Sequence, residues 1–474
     1  MKKLNESFTF IENLTTEQLQ KLTIKKDIRF NVWAQMNPKY AYEYFYKPYE
    51  GGFVIPNGIS EYLELESKPL KSEKLDSQLN QIIKMLQPFE IYDYQLEAIK
   101  DSIQYKKLFI QAATGAGKSV IVGLIAKILT LMKLRGLILV PNITLTNQFD
   151  NDLKSYNLNI ETRLIGGGNN IKSFDKPLTI STWQSVKNFK NCLDQLDFII
   201  VDEAHTAKSD QIFDICNKCT NASYKIGLTG TTPKSDIDKL RIISVFGVPK
   251  VYITPRGLID RGLATNAQVN LIRLKYNKEF ESQVNSINEY SSQLKKIKEC
   301  SPRTSLIAKI TNKVSENGNT LVLFQHTEHG LKILYNIFKL RNLDFDNKTY
   351  KDLLFQKINK IFFINGLIEG GQREAIRKTL EEVDNAIIVA NYATMSTGTN
   401  IKNLHNLILA SPLKSYITIT QSIGRLLRTH KSKRLVRIYD IVDELGFFKR
   451  QIKERLNESY NPEGYEIKEF TYNI

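Results

Sequence analysis

The residues of this 474-residue chain best suited to chemistry begin with Lys118 and Ser119. They close a run of small residues, Ala112-Ala113-Thr114-Gly115-Ala116-Gly117, which follows the apolar stretch Leu108-Phe109-Ile110 and leads into the apolar pattern VIVGLIAKILTLM. A small-residue loop between a buried strand and a helix start is a phosphate cradle. Backbone N–H groups can face a polyphosphate only where side chains do not block the approach, and the positive helix end adds attraction. Thr114, Gly115, Ala116 and Gly117 would line the cradle, Lys118 would neutralise the β and γ phosphates of ATP, and the Ser119 hydroxyl would enter a Mg²⁺ shell. The usual pattern opens with glycine where this chain has Ala112.

A second group lies in FIIVDEAH, Phe198 to His205. Four consecutive apolar residues predict a central strand of a parallel sheet, so Asp202 and Glu203 fall at its carboxyl end, where open α/β sheets keep their ligands. Asp202 suits a metal held through water, and Glu203 suits the base that orients and deprotonates an attacking water. His205 completes the nucleotide-facing run. Upstream, in PFEIYDYQLEAI, the Gln95 amide offers a donor and an acceptor to an adenine edge and Tyr92 a ring to stack on it. Far downstream, QSIGRLLRTH places Arg425 and Arg428 three apart on a predicted helix, a pair of guanidinium forks suited to one triphosphate.

These groups sit in two series of alternating strand and helix patterns, which predict an α/β fold. Composition adds a partner: 66 Lys+Arg against 50 Asp+Glu give a net charge of +16, and residues 385–439 hold eight basic residues and no acid, which suits a polyanion such as nucleic acid. Four cysteines in so long a chain point to a reducing interior without a disulfide framework, and Cys216 and Cys219 are expected in core packing. No signal peptide or membrane-length apolar run is evident, so a soluble, cytoplasmic protein is expected.

Residues 1–85 lack the α/β alternation and are expected to form an accessory module with a hairpin at Gly51-Gly52. Tyr42, Tyr44 and Tyr46 would share one strand face there. Such a stripe could stack on unpaired bases, but packing as the module's core is the reading taken. SKPLKSEKLDSQ reads as a linker. His326 and His329, three apart, have no third metal ligand in view and read as a polar loop.

Taken in order, ATGAGKS, PNITL, STWQS, DEAH, LTGTT, LVLFQH, STGTN and QSIGRLLR resemble the motif set of superfamily 2 helicases. Within them, GGG before STWQS, LVLFQHTEHG, STGTNIKNLHNLILA and IGRLLRTHKSK resemble the phage UvsW-type recombination helicases. The resemblance implies two tandem RecA-like parallel-sheet domains with a small α+β amino-terminal domain. The expected limits are 1–85 for a DNA-binding accessory domain, 86–255 and 256–445 for the RecA-like domains, and 446–474 for a helix and strand tail. It implies that ATP and Mg²⁺ bind between Lys118, Asp202 and Glu203 on one side and Arg425 and Arg428 on the other, with Gln421 and Gly398 in the same cleft. It also implies that Pro141, Thr182, His326 and Thr397 approach a nucleic-acid backbone. Leu145, Gln148, Gly167, Gln184 and Gly366, from the same loops and helix starts, complete that candidate set. Asn400 stands where many members carry an acid. The activity implied is that of a monomeric, ATP-driven helicase on branched DNA. A duplex translocase of a restriction or remodelling complex, an ATP-gated DNA clamp and an RNA helicase are the alternatives.

Overall fold

The computed structural model describes residues 1–26, 36–37, 40–65, 72–86, 91–166, 173–186, 189, 192–205, 210–233, 235–346, 351–366, 368, 370–396, 401–413 and 415–474. They fall into two compact units, Met1–Ile253 and Thr254–Ile474.

The first unit opens with short strands β1 (Lys2–Lys3), β2 (Phe8–Ile11), β3 (Thr23–Lys25), β4 (Tyr42–Tyr44), β5 (Lys47–Tyr49) and β6 (Gly52–Pro56). An antiparallel sheet runs in the order β1-β2-β6-β5, and β3 pairs with β4 apart from it. The turn between β5 and β6 lies at Glu50 and Gly51, whose φ angles of 31° and 81° supply the left-handed pair that a tight hairpin needs. The module's core is Ile11, Leu22, Phe45, Ile55 and Ile59, closed by Leu240 and Ile243 of the helix Asp236–Phe246. The expectation that the tyrosine stripe forms this core fails for two of its three members. Tyr42 and Tyr44 are 38% and 49% exposed, while Phe45, on the opposite phase of the strand, takes the interior place. Tyr46 packs only partly against the core. The linker reading also yields in part, because Glu73–Leu86 is a helix and residues 66–71 lie outside the described residues.

The rest of the first unit is a seven-stranded sheet of β7 (Lys107–Ala112), β8 (Gly136–Val140), β9 (Thr162–Ile165), β10 (Leu178–Thr182), β11 (Phe198–Val201), β12 (Tyr224–Thr229) and β13 (Pro249–Ile253). Its order is β13-β7-β12-β11-β8-β10-β9 and every pairing is parallel. Helices cover both faces, which is why GLILV and FIIV are buried at every position rather than alternately. The second unit repeats the architecture with β14 (Asn266–Lys275), β15 (Thr320–Phe324), β16 (Ile361–Ile364), β17 (Ile387–Asn391), β18 (Asn406–Leu409), β19 (Leu435–Asp443) and β20 (Glu466–Asn473), all parallel in the order β16-β17-β15-β18-β19-β14-β20. The carboxyl-terminal segment expected as a tail is therefore the edge strand of this sheet. β20 pairs with β14 along eight residues.

The amino-terminal module is anchored to the sheet next to it. Buried Lys225, at the start of β12, donates to Ser7 Oγ (2.6 Å) and to the Cys216 carbonyl (2.8 Å). The amide of Glu6 donates to the Thr220 carbonyl (2.9 Å), and Arg241 makes a two-pronged ion pair with Glu43 at 2.6 and 2.9 Å. Gly58 packs so closely that a Cβ there would lie 1.9 Å from the Ile243 carbonyl oxygen. Gly58→Ala must push the module off this helix. We expect a loss of about 1–3 kcal/mol, read as a lower thermal midpoint and faster proteolysis within residues 1–65.

Candidate functional site

In the first unit the two groups of candidate residues occupy opposite halves of one sheet edge. Parallel strands all end on the same edge, and here the loops after β7, β12 and β11 adjoin one another, with those after β8, β10 and β9 alongside. The first three carry the nucleotide candidates, and the last three carry the nucleic-acid candidates.

The cradle is held in shape by its own backbone and by two side chains from the preceding helix. Gly115 and Gly117 have φ angles of 91° and 74°, a region that side chains disfavour, and the Ala116 amide closes a turn on the Ala113 carbonyl at 3.0 Å. The Ala116 carbonyl, facing inward, accepts from Gln95 Nε2 at 2.8 Å and from the Tyr94 hydroxyl at 3.0 Å. Gln95 Oε1 accepts from the Tyr92 amide at 3.1 Å. Gln95, read from the sequence as an adenine contact, is thus 4% exposed and braces the loop, while Tyr92 keeps an exposed ring stacked beside Tyr94. Lys118 starts the helix Lys118–Leu131 and donates to the Ala112 carbonyl at 3.3 Å. Ser119 shares a 2.9 Å hydrogen bond with the hydroxyl of Tyr156, a residue that no motif singled out.

Asp202 and Glu203 follow β11. Desolvation, and next the charge of Glu203, raise the Asp202 pKa to about 6, against the pull of Lys118. Glu203 adopts φ 49°, an uncommon conformation for a residue with a side chain and a mark of local strain at functional turns. His205 Nδ1 lies 3.3 Å from Glu203 Oε2 and 2.9 Å from Thr229 Oγ1. Thr229 Oγ1 in turn bonds the Thr231 backbone on both sides, at 2.8 and 3.2 Å. Between these threonines, Gly230 faces the cradle: a Cβ there would stand 3.2 Å from Thr114 Oγ1 and 3.6 Å from Lys118 Nζ. The loops after β7, β11 and β12 therefore form one contact set, tied together by His205 and Gly230.

On the other half of the edge, Pro141 follows β8, and Asn142 caps the helix Ile143–Ser155 that carries half-buried Leu145 and exposed Gln148. Thr182 ends β10, 3% exposed, with its hydroxyl 3.0 Å from Ser185 Oγ; Gln184 is exposed beside it. Gly166 approaches the same Ser185 hydroxyl, and Gly167 lies outside the described residues.

In the second unit, His326 caps the helix Thr327–Leu340 after β15, and Gly366 sits in an exposed loop after β16. His326 borders a cavity of about 480 Å³ lined also by Lys295, Lys298 and Lys332. Burial, then the charge of Arg303, bring Lys298 down to about 8. Thr397, Gly398 and Asn400 lie outside the described residues. Gln421 and Arg425 belong to the helix Tyr416–Leu426, but the expected shared helix face does not extend to Arg428. Leu427 caps the helix, and Arg428 lies beyond it in a bridge to Ala264. Burial and the nearby charge of Arg425 lower the Arg428 pKa to about 10, and its Nε has no hydrogen-bond partner. A desolvated guanidinium of this kind is suited to an incoming anion.

His329 takes no part in a polar loop. It is 3% exposed, with Nδ1 2.9 Å from Ser411 Oγ and Nε2 3.4 Å from Arg303 Nη1. Arg303 can only donate, so Nε2 accepts and the proton resides on Nδ1. Fully buried Arg303 also holds Asp443 at 2.7 and 2.9 Å, and Ser411 Oγ accepts from the Gln325 amide at 3.1 Å, next to His326. No sequence signal marks this network, because its members come from four separated segments.

Comparison with known proteins adds to this geometry. The family model described as "Type III restriction enzyme, res subunit" matches residues 88–234, which span the cradle, DEAH and Gly230. The ATP-dependent DNA helicase UvsW of Enterobacteria phage T4 is 30% identical over 361 residues, covering 74% of this chain and 68% of that protein. The chain belongs to the UvsW family of superfamily 2 helicases. The DNA 3'-5' translocase XPB2 of Sulfurisphaera tokodaii is 26% identical over 373 residues, 73% of this chain and 80% of that one. A solved fragment of an HsdR-type restriction subunit from Vibrio vulnificus shares the fold, with a TM-score of 0.61 at 21% identity over 85% of this chain and 72% of that one. Tandem RecA-like sheets are thus the framework in which the candidate residues stand.

Two measurements probe the site. Gln95→Ala removes one of the two braces on the Ala116 carbonyl and leaves that of Tyr94; a brace is worth about 1 kcal/mol, so ATP binding should weaken about fivefold, seen as a raised KM for ATP. His329 is held neutral by burial first and the Arg303 charge second, well below the ordinary histidine value. The unfolded chain takes up a proton that the folded one resists, so the His329 contribution to stability is constant above about pH 7 and is lost as pH drops below about 6.5. The thermal midpoint should decline from pH 7 to pH 5, and the decline should be smaller in His329→Gln.

Proposed function

We propose that this protein is an ATP-hydrolysing DNA motor that engages one strand and remodels branched DNA, joining arms or separating them at a junction. The carrying observation is the division of one sheet edge into a phosphate cradle with its acidic pair and an adjoining row of hydroxyls and loop backbone, with His205 and Gly230 tying the cradle, the acidic pair and the Thr229–Thr231 loop into one contact set. A change of phosphate state at Thr114 and Lys118 would reach Thr229 and Thr231 directly and the strands beside them next. The family membership supports the same reading.

The residues carry separable roles in it. Lys118 binds the β and γ phosphates, and the cradle N–H groups orient them. Glu203 accepts the proton of the attacking water, with His205 holding its carboxylate. Arg425 and Arg428 are the arginine fingers, and Tyr92 stacks on the adenine. The Ser119 hydroxyl and the Asp202 carboxylate are hard oxygen donors of the kind Mg²⁺ takes, and Mg²⁺ bound there would neutralise charge on the β and γ phosphates. Thr182, Pro141, Leu145, Gln148, Gln184, His326 and Gly366 would grip a strand through its backbone, which sets position without reading sequence. We take the domain division as an amino-terminal DNA-binding accessory module, two motor domains and a final strand that completes the second.

Lys118→Ala should abolish DNA-stimulated ATP turnover while DNA affinity, at one fixed salt concentration, stays within about twofold. The wild-type protein should resolve a mobile four-way junction with ATP and leave a blunt duplex of equal arm length intact. Junction resolution by Lys118→Ala would sink the proposal, and wild-type turnover of ATP on DNA with neither substrate processed would favour a duplex translocase instead.

A further inference from the structure

The exposed tyrosines of the amino-terminal module form an ordered face. Side chains alternate along a strand, so Tyr42 and Tyr44 share one side of β4 and Glu43 takes the other. Glu43 is consumed by its ion pairs, with Arg241 of the motor helix at 2.6 Å and with Lys26 at 3.7 Å. That clamp fixes the strand with its tyrosines turned to solvent. The rings follow one another at centroid spacings of 6.4 Å from Tyr42 to Tyr44 and 5.8 Å from Tyr44 to Tyr46, and Tyr46 rests edge-on against Phe53 at 5.7 Å. The inner end of the row is thus fixed in the core while the two outer rings remain 38% and 49% exposed.

The charge on this face is of one sign. Exposed Lys25 stands directly across from Tyr42 in the β3–β4 register, and Thr23 stands across from Tyr44. The one carboxylate of the β3–β4 pair is Glu43, turned away and neutralised. Aromatic rings with open faces beside a cation such as Lys25 are the combination that holds single-stranded nucleic acid, stacking bases while attracting phosphates. Among the described residues of β3 and β4 this side offers two tyrosines, one lysine and Thr23, and no carboxylate.

The location gives this face its meaning. The module attaches where Lys225 begins β12, at the Thr220 carbonyl before it, and along the later half of the helix Asp236–Phe246. This is the amino-terminal edge of the sheet. The cradle and the strand-gripping loops lie on the carboxyl edge, roughly 15–20 Å away across strands of five or six residues.

We propose that the Tyr42–Tyr44 face is a second DNA site, which stacks unpaired bases of one arm while the motor engages another. This rests on the DNA-motor reading above. The test uses the full chain and two fluorescent forks, one with an unpaired arm and one with the same arm made duplex, at one salt concentration. The doubly substituted Tyr42→Ala/Tyr44→Ala protein should lose affinity for the unpaired arm by about tenfold or more. It should bind the all-duplex fork as the wild type does, and Tyr42→Phe/Tyr44→Phe should bind both normally, since the ring rather than the hydroxyl does the stacking. Unchanged affinity, an equal loss on the duplex fork, or a loss as large with phenylalanine would each overturn the proposal. If the alanine protein unfolds at a lower temperature, photocrosslinking of the wild type to iodouracil in the unpaired arm decides: attachment at Tyr42 or Tyr44 supports the site, and attachment only elsewhere overturns it. DNA-stimulated ATP turnover by the wild type reports on the motor reading separately, so the two can fail independently.

Discussion

A parallel sheet ends all its strands on one edge, and most of the candidate chemistry of this molecule depends on that constraint. The strand interiors satisfy their own backbone groups, and the loops leaving the carboxyl ends are where free N–H groups, hydroxyls and carboxylates accumulate. In the first unit the order β13-β7-β12-β11-β8-β10-β9 puts the cradle, the threonine loop and the acidic pair on neighbouring strands. Contacts as short as His205 to Thr229, at 2.9 Å, become possible only because β11 and β12 are adjacent. A change at one of these loops is therefore felt at the next without any long relay.

Much of this was legible in the sequence. Apolar runs such as FIIV and GLILV gave the central strands, because burial on both faces leaves no room for alternation, and the residues following them fell at the expected edge. The loop before Lys118 was legible as a tight strand-to-helix turn, because its glycines supply the positive φ angles that such a turn needs. Cys216 and Cys219 also took the core places expected of them.

What was not legible came from contacts between segments far apart in sequence. Gln95 offered a donor and an acceptor, and the sequence could not say that the Ala116 carbonyl and the Tyr92 amide would take them. The alternation of tyrosines on β4 was clear, but which phase faced inward depended on Glu43 meeting Arg241, a partner 198 positions away. His329 read as a loop residue because Arg303 and Ser411, which enclose it, are remote in the chain. Arg428 was placed on a helix that in fact ends before it, where Leu427 turns the chain toward Thr265.

The pairing of β20 with β14 has a consequence for how the protein is made. These neighbours in the second sheet are separated by about two hundred residues, and at roughly 5–20 residues per second the ribosome needs about 10–40 s to supply the second after the first. For most of that interval β14 lacks both its neighbours, since β19 is also made late, and a strand with bare edges is prone to join a foreign chain. In the first unit β7 waits in the same way for β12 and β13, but all its strands precede Thr254, so its sheet can close while the remainder is still being synthesised. The half of the chain that holds the candidate phosphate cradle is thus the half whose sheet can close first.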